Sequence, residues 1–320
     1  MKELEKYIEK EITFEEALEL AELKGSSLME LFSVANRVRE KECGNNIEVC
    51  TITNAKSGKC SENCKFCAQS AYYNTNIESY EMKDIDVLES EYRESCSIGS
   101  DMFGIVTSGG KIERGSSEYD TLKEFLKKAG GKSQPCFSIG KLGYEEAVEL
   151  KSLGLTRYHN NIQTSVESYA DIVATTHTVQ ERIESIKNAK KAGLKVCCGG
   201  IIGMGESWKD RISMAFTIKE LDIECLPLNI LNPIKGTPYG EREILGVDEI
   251  LKTIAIYRII LRDKVIKVTA GRESILKDFM GMAFMAGANS MMVGGYLTVR
   301  GRSVEEDMKF IENIKRMWDN

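Results

Sequence analysis

Short runs of β-branched and apolar residues alternate with longer amphipathic, charged segments from about residue 47 to residue 295. The candidate strands are residues 47–53, 102–107, 134–139, 156–162, 194–199, 224–230, 265–269 and 290–294. Helical patterns fill the intervals, for example at residues 144–153, 179–192, 208–221 and 247–262. Eight strand–helix alternations favour a parallel barrel over a doubly wound sheet. We therefore predict an α/β protein with a (β/α)8 TIM-type barrel.

The limits of this pattern predict the domain organisation. The first 45 residues are charged and helix-like, and Thr13 to Glu16 is typical of a capping box. Gly154, Gly193 and Gly287 follow helical stretches, where a left-handed C-cap is expected. No low-complexity linker interrupts the pattern. We expect an N-terminal helical extension over residues 1–45 and one barrel domain over residues 46–320.

Composition favours small-molecule chemistry. The chain of 320 residues has a net charge of −6, which provides no basic field for nucleic acid. No apolar run approaches the ~20 residues of a membrane-spanning helix. The beginning of the sequence has no apolar core of the signal-peptide kind, so we expect a cytoplasmic protein without a membrane partner. Ten cysteines then indicate metal binding or catalysis, because a reducing cytosol disfavours disulfides.

Three of these cysteines stand close together. The segment SGKCSENCKFCAQS places Cys60, Cys64 and Cys67 directly after the first candidate strand, in a loop of the kind that carries catalytic groups in barrels. Three thiolates on a four-iron cube leave one iron open for a ligand. Structural zinc normally takes a fourth Cys or His, and the two histidines, His159 and His177, are distant in sequence. A zinc site or a fortuitous grouping is the alternative.

Four further cysteines occur on separate candidate strands, namely Cys50, Cys136, Cys197 and Cys225. Barrel strands alternate between inward and outward side chains, so one cysteine per strand can converge on the central cavity. Four inward thiolates suffice to hold a second iron–sulfur cluster. The alternative is that each is an ordinary buried thiol. Cys198 should face opposite to Cys197.

The cysteine triplet closely resembles the Cys-x3-Cys-x2-Cys motif of the radical S-adenosylmethionine (SAM) superfamily. That resemblance implies a 4Fe–4S cluster that transfers an electron to S-adenosyl-L-methionine and releases methionine and a 5′-deoxyadenosyl radical. A narrower resemblance, to the biotin synthase family, covers nearly the whole barrel. It is carried by the segments KCSENCKFCAQS, HNNIQTS, QERIESIKNAKKAGLKVCCGGIIGMGES, LPLNILNPIKGTP, TAGRES and FMAGANSMMVGGYLT.

The family resemblance implies a reaction and partners. Biotin synthases insert sulfur between a methyl and a methylene carbon of dethiobiotin, which closes the thiophane ring. The resemblance therefore implies a radical SAM sulfurtransferase that takes sulfide from an auxiliary iron–sulfur cluster. A small electron-donor protein of the flavodoxin or ferredoxin type and a homodimer are also implied.

The auxiliary cluster departs from the usual family pattern. Family members usually hold a 2Fe–2S cluster with three cysteines and one arginine, and Cys136, Cys197 and Arg272 match three of those positions. The fourth falls at Gly104, which has no side chain. Cys50 and Cys225 occupy positions that are commonly serine. This chain resembles an anaerobe-type branch with a four-iron cluster that carries an extra sulfide. The hypothesis is that the ligands are Cys50, Cys136, Cys197 and Cys225, with Arg272 adjacent.

The resemblance also implies the residues of the pocket. The expected SAM-binding residues are Phe66 near the adenine, Ser108 and Gly109 at the methionine part, Arg182 at its carboxylate, Asn161, and Gln163. The expected substrate-binding residues are His159, Asn161, Asn229, Thr298 and Val299, the last two receiving the substrate carboxylate through backbone groups. Gln163 is a departure, since the family commonly has an aspartate there for the ribose hydroxyls.

Two other functions remain open from the sequence. One is another enzyme of the same barrel group, such as a hydrogenase-cluster maturase or a lysine mutase of pyrrolysine synthesis. The segments NILNPIKGTP and TAGRE and the strand cysteines argue against it. The other is a non-catalytic iron–sulfur protein, which would need no pocket amides and would not consume SAM.

Overall fold

Eight parallel strands close into a barrel in the computed structural model, which describes residues 3–295, 297 and 301–319. Nine strand segments build it, because the fifth barrel strand consists of two halves. The segments are β1 Glu48–Lys56, β2 Met102–Thr107, β3 Gln134–Ser138, β4 Arg157–His159, β5 Lys195–Cys197, β6 Gly200–Ile202, β7 Cys225–Ile230, β8 Val265–Val268 and β9 Ser290–Met292. The order β5-β4-β3-β2-β1-β9-β8-β7-β6, with β5 also paired to β7, confirms the predicted (β/α)8 barrel.

A proline explains the interruption of the fifth strand. Pro227 lies within β7 and has no N–H to donate to a neighbouring strand. At this point Gly199 comes so close that an added Cβ would lie 2.0 Å from the Pro227 carbonyl oxygen. The ladder therefore breaks between β5 and β6 and resumes at Gly200, opposite Leu228.

Helices follow the strands, as the sequence pattern predicts. They are α1 Lys6–Glu9, α2 Phe14–Ala21, α3 Ser26–Cys43, α4 Ile85–Ser97, α5 Ser117–Lys128, α6 Tyr144–Ser152, α7 Tyr169–Ile172, α8 Val179–Lys191, α9 Trp208–Glu220, α10 Val247–Leu261, α11 Met280–Met285 and α12 Val304–Trp318. A π-helical turn, Arg272–Leu276, and a 3-10 turn, Lys277–Phe279, follow β8. None of the helices in the described part of the chain combines the length and apolar character needed to cross a membrane.

The N-terminal helices cover one side of the barrel. The predicted capping box is confirmed, since Thr13 and Glu16 exchange side-chain-to-backbone hydrogen bonds at the start of α2. Helices α2 and α3 pack on α10, which is buried on every face from Ile250 to Leu261. We propose the division into residues 1–45 and 46–320 as the domain organisation, because α3 ends at Cys43 and β1 begins at Glu48.

Parallel strands bring all their carboxyl ends to one face of the barrel. The long segment between β1 and α4 lies at that face and contains the cysteine triplet. Each strand carries its inward side chains into a shared interior, so residues near the strand beginnings lie deeper than those near the strand ends. The fold therefore separates the triplet from the strand cysteines along the barrel axis.

Candidate active site

A cavity of about 640 Å³ occupies the barrel interior. Cys60, Cys64 and Cys67 line it at the carboxyl-end face, and three of the strand cysteines line it deeper in the barrel. The fourth, Cys225, is fully buried behind the lining and lies opposite Cys197 in the strand register. The structure thus brings the triplet and three of the four strand cysteines to one cavity, with Cys225 directly behind its wall.

The triplet loop is held by its own backbone. The amide of Cys60 donates to the carbonyl of Gln69, and the amide of Ala71 donates back to the carbonyl of Cys60. A tight turn joins the amide of Cys67 to the carbonyl of Cys64 at 3.0 Å. Burial raises the pKa of Cys64 to about 12 and that of Cys67 to about 11. Because iron binds thiolates, loading this site must release protons.

The strand cysteines form a second group. Cys50 and Cys136 contact each other through Met102, whereas Cys197 pairs with Cys225 across neighbouring strands. Burial raises the pKa of Cys50 to about 11, that of Cys136 to about 12, and that of Cys225 well above its ordinary value. Cys198 lies in the apolar core outside the cavity, so its predicted orientation opposite to Cys197 is confirmed.

The cation beside these cysteines is not the one expected from the sequence. Arg272 is fully buried, and its guanidinium binds the carboxylate of Asp307 at 2.6 and 3.2 Å instead of lining the cavity. The proximity expected for Arg272 is therefore corrected. The reason is its place in the π-helical turn beyond β8, where strand alternation no longer sets side-chain direction.

Lys267, within β8, is the cation that lies beside the strand cysteines. Its Nζ is 2.6 Å from the Cys50 sulfur and 3.2 Å from a carboxylate oxygen of Glu48. The same carboxylate accepts two hydrogen bonds from Arg157, at 2.8 and 2.9 Å. We did not predict these three residues from the sequence. The available signal was a lysine between Ile266 and Val268, because strands of parallel barrels are normally apolar throughout.

The expected SAM pocket contains polar atoms that lack a partner. The hydroxyls of Thr107 and Ser108 and the Oε1 of Gln163 are buried and have no hydrogen-bond partner among the described residues. All three residues line the cavity. Such a buried atom costs about 1–3 kcal/mol when unpaired, so a polar ligand would stabilise this region. The residues present therefore fit a bound cofactor.

Backbone geometry supports the same pocket. Gly109 has φ +115° and lines the cavity beside Ser108, so the chain can approach a ligand without a side chain. Gln163 has φ +70°, a conformation that L-residues rarely adopt and that often marks functional sites. Phe66 also lines the cavity, next to Cys67.

Arg182 lies at the centre of a buried network. It donates to the Tyr169 hydroxyl at 2.6 Å, to the Asn160 side chain and the Asn161 carbonyl at 3.0 Å, and to Nε2 of His177 at 2.8 Å. These contacts orient its guanidinium toward the cavity wall. Neither Tyr169 nor His177 was among the predicted site residues, since nothing in their local sequence distinguishes them from ordinary surface-loop residues.

The amides expected to bind substrate line the cavity as well. Asn161 accepts a hydrogen bond from the Gly199 amide, which leaves its Nδ2 to donate elsewhere. Asn229 donates to the Gly200 carbonyl and accepts from the Thr269 hydroxyl. His159 faces the cavity, and burial together with nearby positive charges lowers its pKa to about 3, so its imidazole is neutral. Thr298 and Val299 lie outside the described residues.

Known families match this arrangement. The model described as the radical SAM superfamily matches residues 55–218, and the model described as the Biotin and Thiamin Synthesis associated domain matches residues 227–315. The chain is 44% identical over 310 residues to biotin synthase of Pelotomaculum thermopropionicum, covering 95% of each chain. It is also 44% identical over 311 residues to biotin synthase of Clostridium tetani, covering 96% of this chain and 94% of that one.

This chain belongs to the biotin synthase family.

Membership in the biotin synthase family makes it a radical SAM enzyme, for which a 4Fe–4S cluster and SAM are the implied cofactors. Solved structures agree in fold. Methylornithine synthase superposes with a TM-score of 0.82 at 18% identity, covering 97% of this chain and 96% of that one. The FeFe-hydrogenase maturase HydG from Carboxydothermus hydrogenoformans gives 0.80 at 17% identity, covering 98% and 76%. These two structures share the fold of this chain over nearly its whole length, and at this identity the likeness shows the fold alone.

Proposed function

We propose that this enzyme converts dethiobiotin to biotin by sulfur insertion. The observation that carries the proposal is a single cavity lined by two cysteine sets, with pocket amides near the triplet. Along β7, Asn229 follows Cys225 by four residues, which corresponds to about 13 Å of strand. A substrate held by Asn229 therefore has room to lie between the triplet and the strand cysteines.

The triplet and the SAM pocket supply the radical chemistry. Cys60, Cys64 and Cys67 would hold a 4Fe–4S cluster, which in its reduced form would supply the electron for the cleavage of SAM. Arg182 would bind the methionine carboxylate, since a guanidinium suits a planar anion. The Oε1 of Gln163 would accept from a ribose hydroxyl, and the Ser108 hydroxyl would bond the methionine part.

The amides and the imidazole hold the substrate. A ureido ring both donates and accepts hydrogen bonds, and the amides of Asn161 and Asn229 can do the same. The neutral His159 offers a further hydrogen-bonding group on the same wall. Enclosure in the barrel keeps water from the reacting carbons, which protects a radical from side reactions. The backbone of Thr298 and Val299 remains the proposed site of the substrate carboxylate.

We propose Cys50, Cys136, Cys197 and Cys225 as ligands of the auxiliary cluster, which would supply sulfur. Their burial, the contact of Cys50 and Cys136 through Met102 and the pairing of Cys197 with Cys225 support a cluster held by four thiols, and we propose the four-iron cluster with an extra sulfide over a 2Fe–2S cluster. Iron and sulfide counts per chain test this. A total of about four irons after full anaerobic reconstitution would contradict a second cluster of that size.

Turnover tests the function as a whole. Anaerobically reconstituted enzyme should convert dethiobiotin to biotin, detected by mass, and should form 5′-deoxyadenosine from SAM. Formation of 5′-deoxyadenosine without biotin would reject the substrate and retain the radical SAM chemistry. A reconstituted protein that shows no spectral response to SAM would reject both.

We also propose an electron donor, a cellular location and an oligomeric state for this enzyme. A flavodoxin- or ferredoxin-type protein would deliver the electron, because reductive cleavage of SAM needs a low-potential donor. The enzyme would work in the cytoplasm, which suits ten free cysteines. A homodimer is the expected assembly, and sedimentation of the reconstituted protein would measure it.

A further inference from the structure

Lys267 is an unusual residue for the position that it occupies. Its side chain lies inside the barrel with 4% of the residue exposed. Lysines are almost never buried to this extent without a partner of opposite charge. Burial of an ammonium in an apolar interior is costly unless hydrogen bonds and charge compensate for it. The contacts of Lys267 therefore indicate what this part of the cavity is built to hold.

The charges around Lys267 do not balance. Among the residues that the structure describes, Glu48 is its one carboxylate partner, and the same carboxylate already binds the guanidinium of Arg157 through both oxygens. Two cations thus share one anion, which leaves one positive charge in excess within this group. The second close partner of Lys267 is the sulfur of Cys50, at 2.6 Å. Thiolates of the strand cysteines would supply the negative charge that balances the second cation.

A separate observation points to the same missing partner. The Nε of Arg157 is buried and has no hydrogen-bond acceptor among the described residues, although the residue is only 5% exposed. Arg157 and Lys267 both line the cavity beside the strand cysteines. Their charges act on Cys225 and Cys197 from two sides, and that of Lys267 acts on Cys50 as well. Both cations therefore lie in the part of the cavity that Cys50, Cys136 and Cys197 line.

We propose that Lys267 is a positioning residue of the auxiliary cluster, which hydrogen-bonds the Cys50 thiolate and, with Arg157, compensates the negative charge of the cluster without ligating iron. This inference rests on the proposed function. Hydrogen bonds to the sulfurs and the net charge of the surroundings set the reduction potential of an iron–sulfur cluster. Loss of the Lys267 charge should therefore make the auxiliary cluster harder to reduce.

The experiment isolates that cluster in the full-length chain. A parent variant with Cys60, Cys64 and Cys67 replaced by alanine retains only the strand cysteines as cluster ligands. Lys267→Met and Lys267→Arg are made in this parent, and Lys252→Met serves as the matched control. Lys252, on α10, is also buried, but its Nζ donates to the carbonyl of Ala21 at the end of α2, outside the cavity. Iron, sulfide and the midpoint potential are measured for each by anaerobic reconstitution and redox titration.

Lys267→Met should shift the redox equilibrium about tenfold toward the oxidised cluster, which is a fall in midpoint potential of about 59 mV for a one-electron couple. Lys267→Arg keeps the charge and should stay within about twofold of the parent, as should Lys252→Met. An unchanged potential in Lys267→Met, or an equal fall in Lys267→Arg, would overturn the inference. If Lys267→Met takes up no iron, uptake by Lys267→Arg supports the role, and failure of both variants with native circular dichroism contradicts it.

Iron binding by the parent variant also tests the auxiliary cluster on which this inference rests. If the parent itself binds no iron, the auxiliary cluster of the proposed function is absent and this inference falls with it. In every other outcome the parent carries its cluster, so that the proposed auxiliary cluster stands whatever Lys267 does, and turnover of the unmodified enzyme tests the proposed function separately.

Discussion

The guanidinium of Arg182 donates to Nε2 of His177 over 2.8 Å. Because arginine carries only donors, this imidazole nitrogen must accept, and the ring proton lies on Nδ1. That proton faces a carboxylate oxygen of Glu62 at 2.7 Å. Burial, with the adjacent Arg182, lowers the pKa of His177 and keeps the ring neutral. Glu62 belongs to the cysteine-triplet loop, so His177 couples the orientation of Arg182 to that loop.

Replacement of His177 should therefore weaken SAM binding. His177→Phe removes an acceptor from a buried cation, which corresponds to roughly 1–2 kcal/mol, or about tenfold in the Kd for SAM. His177→Gln places an amide oxygen near the position of Nε2 and should recover most of the affinity. Titration of SAM into reconstituted enzyme, followed by the spectrum of the reduced cluster, measures both. Equal affinities for the two variants would show that the contact does not position Arg182.

Gln163 should show opposite effects on stability and on cofactor binding. Gln163→Gly relieves a backbone at φ +70° and should raise the free energy of unfolding of the cofactor-free protein by roughly 0.5–1 kcal/mol. The same change removes the buried Oε1 that faces the cavity, so the Kd for SAM should rise about tenfold. Denaturant unfolding and SAM titration measure the two effects.

The control variant is Lys277→Gly, which relieves a residue at φ +46° away from the cavity and should change the free energy of unfolding alone. A tighter SAM complex in Gln163→Gly would contradict the assignment of Gln163.

Two adjacent cysteines provide a matched test of the auxiliary cluster. Cys197→Ala should lower the iron bound per chain, because Cys197 lines the cavity. Cys198→Ala should leave iron unchanged and lower the unfolding free energy by about 1 kcal/mol, since this thiol fills space in the apolar core. Iron analysis and denaturant unfolding distinguish the two. Equal iron loss in both variants would indicate that folding, not ligation, is affected.

Asp210 should contribute pH-dependent stability. Burial alone would raise its pKa, but hydrogen bonds from Ser168, Ser207 and Ser165 outweigh this and lower the pKa to about 2. A carboxyl with a depressed pKa stabilises the fold above its ordinary pKa, and this contribution disappears as pH falls from about 5 to about 2. Asp210→Asn should thus cost about 1 kcal/mol at pH 7, after allowance for solvent screening, and little at pH 2. Thermal unfolding of both proteins across that range measures the difference. A gap that stays constant with pH would rule out the carboxylate as its source.

Several features could be predicted from the sequence because they depend on near neighbours in the chain. The Cys60, Cys64 and Cys67 triplet lies on one short loop, and its spacing alone predicts a cluster site. The strand positions follow from apolar runs, and the opposite orientations of Cys197 and Cys198 follow from the two-residue period of a strand. The fourth and fifth strands are exceptions: the fourth ends at His159 and not at residue 162, before the left-handed backbone of Gln163, and the fifth is interrupted after Cys197.

Only the tertiary structure decided which cation faces the strand cysteines. Lys267 and Cys50 are 217 residues apart, and they meet because β8 and β1 flank the closing strand β9. Arg272, five residues further on, binds Asp307 instead. Sequence patterns report the direction of a side chain only within a regular element. Contacts between distant strands depend on how the barrel closes, and that depends on the packing of the whole chain.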